Sequence, residues 1–368
     1  MRKKPLLMIL VLLGALLLSA CGGAIRGTTW PGLAADETTA YLADLPFVYG
    51  INLVDGREVW RFSDQDDNKA QFYARPVITP DGLVIVGSAA GNHTLYALDP
   101  KDVVSNGNFR SPVAKWTFTG ADSPWVASPL IVDNLLFAPN SDGNLYILDL
   151  NDGQSQKQAV KVVALGGRLW AQPVTDGKRI FVTSLDHSIF GVDLQTYDYW
   201  QADVSAAVPG SPVLGTDGML YVGSLASQLE QLDPETGEHK SVFDANNWIW
   251  GTPALDSDTL YFGDLEGNFY SFNTSTMSLN WTPVKPDGAI TAGVLLQNDH
   301  ILLATESGNI YAIDKDGKTL WFEEVGGKIY TTPVVTGDLV LVAPLETDFY
   351  LSALDSSGRQ VWTFTPEN

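Results

Sequence analysis

The sequence repeats a unit of about 40 residues along nearly its whole length, a period typical of stacked β-sheet architectures. The unit is clearest in residues 210–243, where short apolar runs alternate with turn residues such as Asp217–Gly218 and Asp233–Gly237. This alternation predicts four short antiparallel β-strands in each unit. One such sheet cannot bury both of its faces, so neighbouring copies must pack against each other.

Seven copies of the first strand align on a proline or glycine. They are Arg75–Ile78, Ser128–Ile131, Gln172–Val174, Ser211–Leu214, Thr252–Leu255, Ala292–Leu295 and Thr332–Val335. A degenerate copy precedes them, in which residues 39–43, 47–53 and 55–60 stand for the second, third and fourth strands. The repeat therefore predicts an all-β fold, an eight-bladed β-propeller of four-stranded antiparallel blades. Seven blades are the alternative if the first copy is irregular.

Most units close with a tryptophan after the third strand. These residues are Trp60, Trp116, Trp200, Trp281, Trp321 and Trp362. The underlying pattern, Ala-x-Asp-x-x-Thr-Gly-x-x-x-Trp, resembles the tryptophan-docking repeat of quinoprotein-type propellers, which include pyrroloquinoline-quinone alcohol dehydrogenases and non-catalytic relatives. The run Ser271–Phe272–Asn273 to Trp281 keeps the spacing, whereas Ser241 replaces the tryptophan of its unit. The resemblance implies that each tryptophan docks one blade on its neighbour.

The N-terminus carries an export signal. Residues 1–4 are basic, Leu6 to Leu18 is apolar, and Leu18–Ser19–Ala20–Cys21 resembles the bacterial lipobox. We therefore expect a signal peptide at 1–20, a lipidated tether at 21–29 and the propeller at 30–368. Cys21, the only cysteine, is the expected lipidation site. Because Gly22 is not aspartate, we expect the outer membrane, facing the periplasm, in a diderm, or the external face of the cell membrane in a monoderm.

Composition and motifs argue against several functions. The formal charge of −21 disfavours nucleic-acid binding. The four histidines fall in separate units, and the acidic loop at 64–68 lacks the glycine of a calcium loop. Phosphate-binding and nucleophile-elbow motifs are missing. The sequence also lacks a second cysteine, which the vicinal disulfide of quinoprotein dehydrogenases would require. We expect no metal, no cofactor and no enzymatic activity.

Large aromatic residues recur three positions before the first-strand proline in alternate units. Because this loop leads into the innermost strand, their side chains should ring one mouth of the central channel. With two nearby tryptophans, the candidate mouth residues are Tyr73, Trp125, Trp170, Trp248, Trp250 and Tyr330. They either plug the channel or bind a peptide, a sugar or a planar ligand. A long insertion, Pro100 to Lys115, is a second candidate for recognition.

The propeller, the lipobox and the acidity together resemble the propeller lipoprotein subunit of the outer-membrane β-barrel assembly machinery. That resemblance implies a non-catalytic, membrane-anchored scaffold that binds a protein partner in the cell envelope. Two alternatives stay open: a surface lipoprotein that binds a small ligand or glycan in the mouth, and a degenerate quinoprotein enzyme.

Overall fold

The computed structural model describes residues 30–297 and 299–367, and it arranges them in eight antiparallel sheets. The expected signal peptide, Cys21 and the tether lie outside the described residues. Strands follow chain order within each sheet, and no α-helix occurs in the described ranges. The predicted eight-bladed propeller of four-stranded blades is confirmed, including the degenerate first unit.

The first four blades contain strands β1 to β17. Blades 1 and 2 comprise β1 (Gly32–Ala35), β2 (Thr39–Asp44), β3 (Phe47–Asn52), β4 (Glu58–Phe62), β5 (Gln71–Phe72), β6 (Val77–Ile78), β7 (Val84–Ala90), β8 (Leu95–Asn106) and β9 (Phe109–Phe118). Blades 3 and 4 comprise β10 (Leu130–Val132), β11 (Leu135–Pro139), β12 (Asn144–Asp149), β13 (Ala159–Ala164), β14 (Val174–Thr175), β15 (Arg179–Thr183), β16 (Ser188–Asp193) and β17 (Tyr199–Asp203).

The last four blades contain four strands each. Blades 5 and 6 comprise β18 (Val213–Leu214), β19 (Leu220–Gly223), β20 (Gln228–Leu232), β21 (His239–Asp244), β22 (Ala254–Asp256), β23 (Thr259–Gly263), β24 (Phe269–Asn273) and β25 (Ser278–Leu279). Blades 7 and 8 comprise β26 (Leu295–Gln297), β27 (His300–Ala304), β28 (Asn309–Asp314), β29 (Thr319–Glu324), β30 (Val334–Thr336), β31 (Leu339–Val342), β32 (Leu351–Asp355) and β33 (Gln360–Phe364).

The central strands of each blade are buried on both faces. In blade 4, for example, β15 and β16 are almost continuously buried, whereas the outer strand β17 is mostly exposed. Each blade packs between two neighbours, so alternate side chains enter two different apolar clusters. This packing explains why the second and third strands read as unbroken apolar runs.

The repeated tryptophans contact the following blade. Trp200 of blade 4 donates its indole N–H to the carbonyl of Pro234 in blade 5, at 3.0 Å. Its ring covers Gly237, whose φ is +76° and whose Cβ, if present, would lie 2.5 Å from the indole. Trp281 repeats the arrangement with the carbonyl of Lys315, at 3.2 Å. The glycine of the turn is thus required for both its backbone conformation and the close approach of the ring.

The other four tryptophans lie at equivalent blade junctions. Trp321 covers Gly358, and Trp362 covers Gly56 of blade 1. Trp60 and Trp116 are 1% and 5% exposed and belong to the apolar clusters that join blades 1 and 2 and blades 2 and 3. Burial of large aromatic rings at these junctions stabilises the stacking of blades.

The ring closes between blade 8 and blade 1 through side chains. Thr336 Oγ1 donates to the carbonyl of Asp36 at 2.8 Å, and the rings of Tyr49 and Phe364 lie 5.4 Å apart. Blade 1 uses its own inner strand, β1, which the sequence had not indicated. Within residues 30–297 and 299–367, every blade therefore consists of consecutive strands, and no strand is shared across the junction.

The insertion in blade 2 extends β8 and β9 into a long hairpin arm, residues 100–115. Phe109 at its tip packs edge-on against Phe47 of blade 1, with ring centroids 6.0 Å apart. The guanidinium of Arg61 lies over both rings, at 5.4 and 5.5 Å. Cavities of about 870 and 770 Å³ flank the arm. The arm thus covers the outer strand of blade 1 instead of projecting freely.

Candidate functional site: the channel collar

The inner edge of each blade carries a short segment that faces the central channel. In blade 2, β5 and β6 both pair with the inner edge of β7, and residues 73–76 lie between them. In blades 4 and 8, bridges Leu169–Ser184 and Lys328–Leu345 precede the equivalent segment. We name these segments the collar. It consists of residues 30–31, 73–76, 126–129, 170–173, 209–212, 250–253, 290–293 and 330–333.

Hydrogen bonds join neighbouring collar segments around the channel. Ser128 Oγ donates to the carbonyl of Arg75 at 2.9 Å, and Gln172 Nε2 donates to the carbonyl of Pro129 at 3.0 Å. Thr252 Oγ1 accepts a bond from the backbone N–H of Ser211, also at 3.0 Å. The sequence reasoning missed this role, although a neutral polar residue directly before the proline recurs in five units. These residues are Ser128, Gln172, Ser211, Thr252 and Thr332.

Three aromatic side chains meet at the collar. Trp30 stacks on Tyr330, with centroids 5.4 Å apart and an interplanar angle of 12°. It also contacts Trp250 edge-on at 5.3 Å. Trp30 is 37% exposed, so the cluster is accessible to solvent. The three residues come from blades 1, 6 and 8, and Trp30 was absent from the residues proposed from the sequence.

Two further candidates keep the collar position without joining this cluster. Tyr73 is half-buried, and its hydroxyl donates to the side chain of Gln71. Trp170 of blade 4 is also half-buried, directly after the Leu169–Ser184 bridge. The four aromatic residues at the repeated position thus all belong to collar segments. Among the described ring contacts, those of Trp30 bring Trp250 and Tyr330 together but not Tyr73 or Trp170.

The placement of Trp125 is a correction to the sequence-based assignment. It is 1% exposed and packs between blades 2 and 3, with Tyr146 at 5.7 Å. Its indole N–H donates to the carbonyl of His93 at 2.7 Å. Trp125 precedes the collar position by one residue, and successive side chains point to opposite sides of an extended chain. The ring therefore enters the blade interface instead of the channel.

Trp248 lies two residues before Trp250 and outside the cluster. It is 48% exposed, and its carbonyl accepts a hydrogen bond from the N–H of Leu265 at 3.0 Å. Its place in the fold is therefore set by the backbone, while the indole stays available to solvent.

Charged groups surround the Tyr330 side of the mouth. Burial raises the pKa of Glu306, and the nearby Lys328 partly opposes this effect. Lys328 Nζ donates to the carboxylate of Glu346 at 3.1 Å. Burial, together with the charge of Glu306, raises the pKa of Tyr330. The aromatic cluster is thus bordered by ionisable groups on one side.

The described ranges contain no group of three or more His, Cys, Asp or Glu side chains placed to hold a metal ion. The acidic loop is engaged otherwise: Asp67 accepts the N–H of Asn92 at 2.6 Å, and Asp64 accepts the hydroxyl of Tyr96. Among the described residues, no helix has the length and apolarity needed to span a membrane.

The fold and its docking tryptophans define an eight-bladed propeller of the quinoprotein-repeat class. The chain belongs to the family described as outer membrane protein assembly factor BamB, whose model matches residues 22–240, 160–289 and 284–368. Curated relatives with the same description come from Nitrosomonas eutropha, 27% identical over 113 residues, and Burkholderia pseudomallei, 26% identical over 113 residues. These alignments cover 30% and 31% of this chain, and 27% and 29% of the relatives' length.

Solved structures show the same architecture. The crystal structure of BamB from Moraxella catarrhalis has a TM-score of 0.68 at 19% identity, and the match covers 92% of this chain and 98% of that one. The computationally designed protein Ika8 reaches a TM-score of 0.69 at 10% identity, with the same coverage. At these identities the likeness shows the fold alone.

Proposed function

We propose that this protein is a non-catalytic scaffold in outer-membrane protein assembly that binds a protein partner in the cell envelope. Membership of the BamB family supports the process, since the curated relatives are named as assembly factors. A propeller by itself specifies a scaffold and no particular chemistry. The assignment therefore depends on the family and on the collar together.

The observation that carries the binding role is the exposed three-ring cluster of Trp30, Trp250 and Tyr330. Tryptophan and tyrosine dominate binding energy at protein interfaces because they bury much apolar surface at a low entropic cost. Although Trp30 stacks on Tyr330, it remains 37% exposed, so part of its surface is available to contact a partner. We assign the cluster as the centre of the contact surface.

Lipidation of Cys21 would anchor the scaffold to the membrane. The tether from Cys21 to Trp30 can extend no farther than about 32 Å, so the aromatic mouth would lie within that distance of the lipid surface. Metabolic labelling with palmitate tests the anchor: label should be lost in Cys21→Ser, and label retained in that variant would contradict the proposal.

The binding role is tested by capture of partners from envelope extract. Trp250→Ala should lose the partner while remaining folded, and Trp248→Ala provides a matched control because it removes an exposed indole outside the cluster. Loss in both variants, or in neither, would contradict the assignment. If Trp250→Ala instead abolishes binding of a planar compound or a glycan, as followed by tryptophan fluorescence, the small-ligand alternative replaces the protein partner.

A further inference from the structure

Arg75 interrupts the pattern of the collar. It occupies the position directly before the inner-strand proline, where the other proline-containing blades carry serine, glutamine or threonine. In four of those blades the neutral side chain, that of Ser128, Gln172, Thr252 or Thr332, bonds to a neighbouring segment. Arg75 contributes its carbonyl to this network as the acceptor for Ser128, but its side chain takes no part.

The guanidinium of Arg75 is unpaired. In the described ranges it has no hydrogen-bond or ion-pair partner, although acidic residues outnumber basic ones 43 to 22 in the chain. Arg61 and Arg359, by contrast, bond to Glu58 and Asp355 at 2.6 and 2.8 Å. An arginine left without a carboxylate in so acidic a protein has its full bidentate capacity available.

The position of Arg75 makes that charge both reachable and poorly solvated. The residue lies between β5 and β6 on the channel edge of blade 2, and its side chain is exposed. The surrounding protein nevertheless desolvates the guanidinium enough to lower its pKa. A partly desolvated cation gains more from an anionic partner than one that is fully hydrated.

We propose that Arg75 makes the channel wall of blade 2 a binding site for an oxyanion, the carboxylate or phosphate group of a ligand that enters the channel. The planar fork of the guanidinium matches both groups through two parallel N–H···O bonds. The site is separate from the three-ring cluster, which blades 1, 6 and 8 build, and it does not depend on the proposed assembly role.

The test is isothermal titration calorimetry at low ionic strength with three probes: phenylacetate, its neutral analogue phenylacetamide, and inorganic phosphate. The variants are Arg75→Gln and, as a charge-matched control, Arg110→Gln on the hairpin arm. Wild type and Arg110→Gln should bind phenylacetate or phosphate, whereas Arg75→Gln should bind at least about tenfold more weakly. Phenylacetamide should not bind. The anion that binds identifies the source, carboxylate or phosphate.

Equal affinity in wild type and Arg75→Gln would overturn the site, as would the absence of anion binding to wild type up to about 10 mM. Thermal unfolding without anion gives a second readout. Arg75→Gln should melt at or above the wild-type temperature, because the substitution removes a desolvated charge that has no partner. A clearly lower melting temperature would indicate a structural role and contradict the proposal. Neither result bears on partner capture by the three-ring cluster.

Discussion

The indole Nε1 of Trp362 donates a hydrogen bond to the carbonyl of Leu53 at 3.0 Å, joining the last blade to the first. The same contact recurs within the chain, from Trp200 to Pro234 and from Trp281 to Lys315. At those junctions a peptide linker also holds the two blades together. Between blades 8 and 1 the described residues show non-covalent contacts and no such linker.

Trp362→Ala should therefore lower the free energy of unfolding by about 3 kcal/mol, through lost aromatic packing over Gly56. Trp362→Phe keeps most of the ring but removes the N–H donor and should cost about 1 kcal/mol. Urea denaturation followed by circular dichroism measures both values. An unchanged midpoint in Trp362→Ala would show that this contact does not hold the ring closed.

The turn glycine beneath each docking tryptophan provides a second test. Gly237→Ala combines a left-handed backbone, φ +76°, with a Cβ 2.5 Å from Trp200. Gly153→Ala has nearly the same φ, +70°, but its new Cβ would have no described heavy atom within 4 Å apart from its chain neighbours. It therefore reports the backbone cost alone, about 1–2 kcal/mol. Gly237→Ala should cost a further 1–3 kcal/mol or so in chemical denaturation. Equal losses would contradict the tight packing.

Protonation of Asp36 should make the protein less stable in acid. Burial acts to raise the pKa of Asp36, but hydrogen bonds from Tyr41, Thr38 and Thr39 outweigh it and leave the pKa lowered. The stabilisation is therefore present above the ordinary carboxyl pKa and is lost as the pH falls through the lowered value. Asp36→Asn should have a lower melting temperature than wild type at pH 7, and the difference between the two melting temperatures should become smaller below about pH 4.

Asp338→Asn is the charge-matched control for that experiment, because Asp338 is exposed in the turn between β30 and β31. Its melting temperature should follow that of wild type across the pH range. A gap between Asp36→Asn and wild type that is the same at every pH would show that ionisation of Asp36 is not the cause.

Substitution of Glu230 should have the opposite effect on the melting temperature at neutral pH. It is 2% exposed, and burial raises its pKa although His239 Nδ1 lies 3.6 Å from its carboxylate. Stability is therefore lost as the pH rises above the unfolded pKa, and above the raised pKa the folded state itself carries a disfavoured charge. Glu230→Gln should raise the melting temperature at pH 7 and give no gain below about pH 4. A lower melting temperature at pH 7 would mean that the contact with His239 outweighs burial.

The repeat predicted the propeller because strands, turns and the apolar runs of the central strands are local features that recur in register. β1 escaped prediction although Pro31 directly precedes it, since Gly32, Ala34 and Ala35 replace the larger side chains of most other inner strands. Their small size has a tertiary cause: a Cβ on Gly32 would lie 2.3 Å from the carbonyl oxygen of Ala74 in blade 2. That contact cannot be inferred from the sequence of blade 1 alone.

The candidate site was predicted less well for related reasons. Missing β1 also meant missing Trp30, which enters the collar from the segment just before that strand. For Trp125 the error was one residue, enough to move an indole from the channel to the blade interface. Tyr330 and Trp250 both lie in collar segments, and their convergence on Trp30 depends on ring geometry that the repeat pattern does not contain.

Because each blade is made of consecutive strands, the ring does not require any particular blade to come first in the chain. Joining residue 367 to residue 30 by a short linker and opening the chain between any other two blades would leave every strand pairing intact. The order of the blades in the gene could thus be rotated, or a whole blade copied, without a strand having to find a new partner. A ring of this kind can thus be enlarged or circularly permuted in units of one blade.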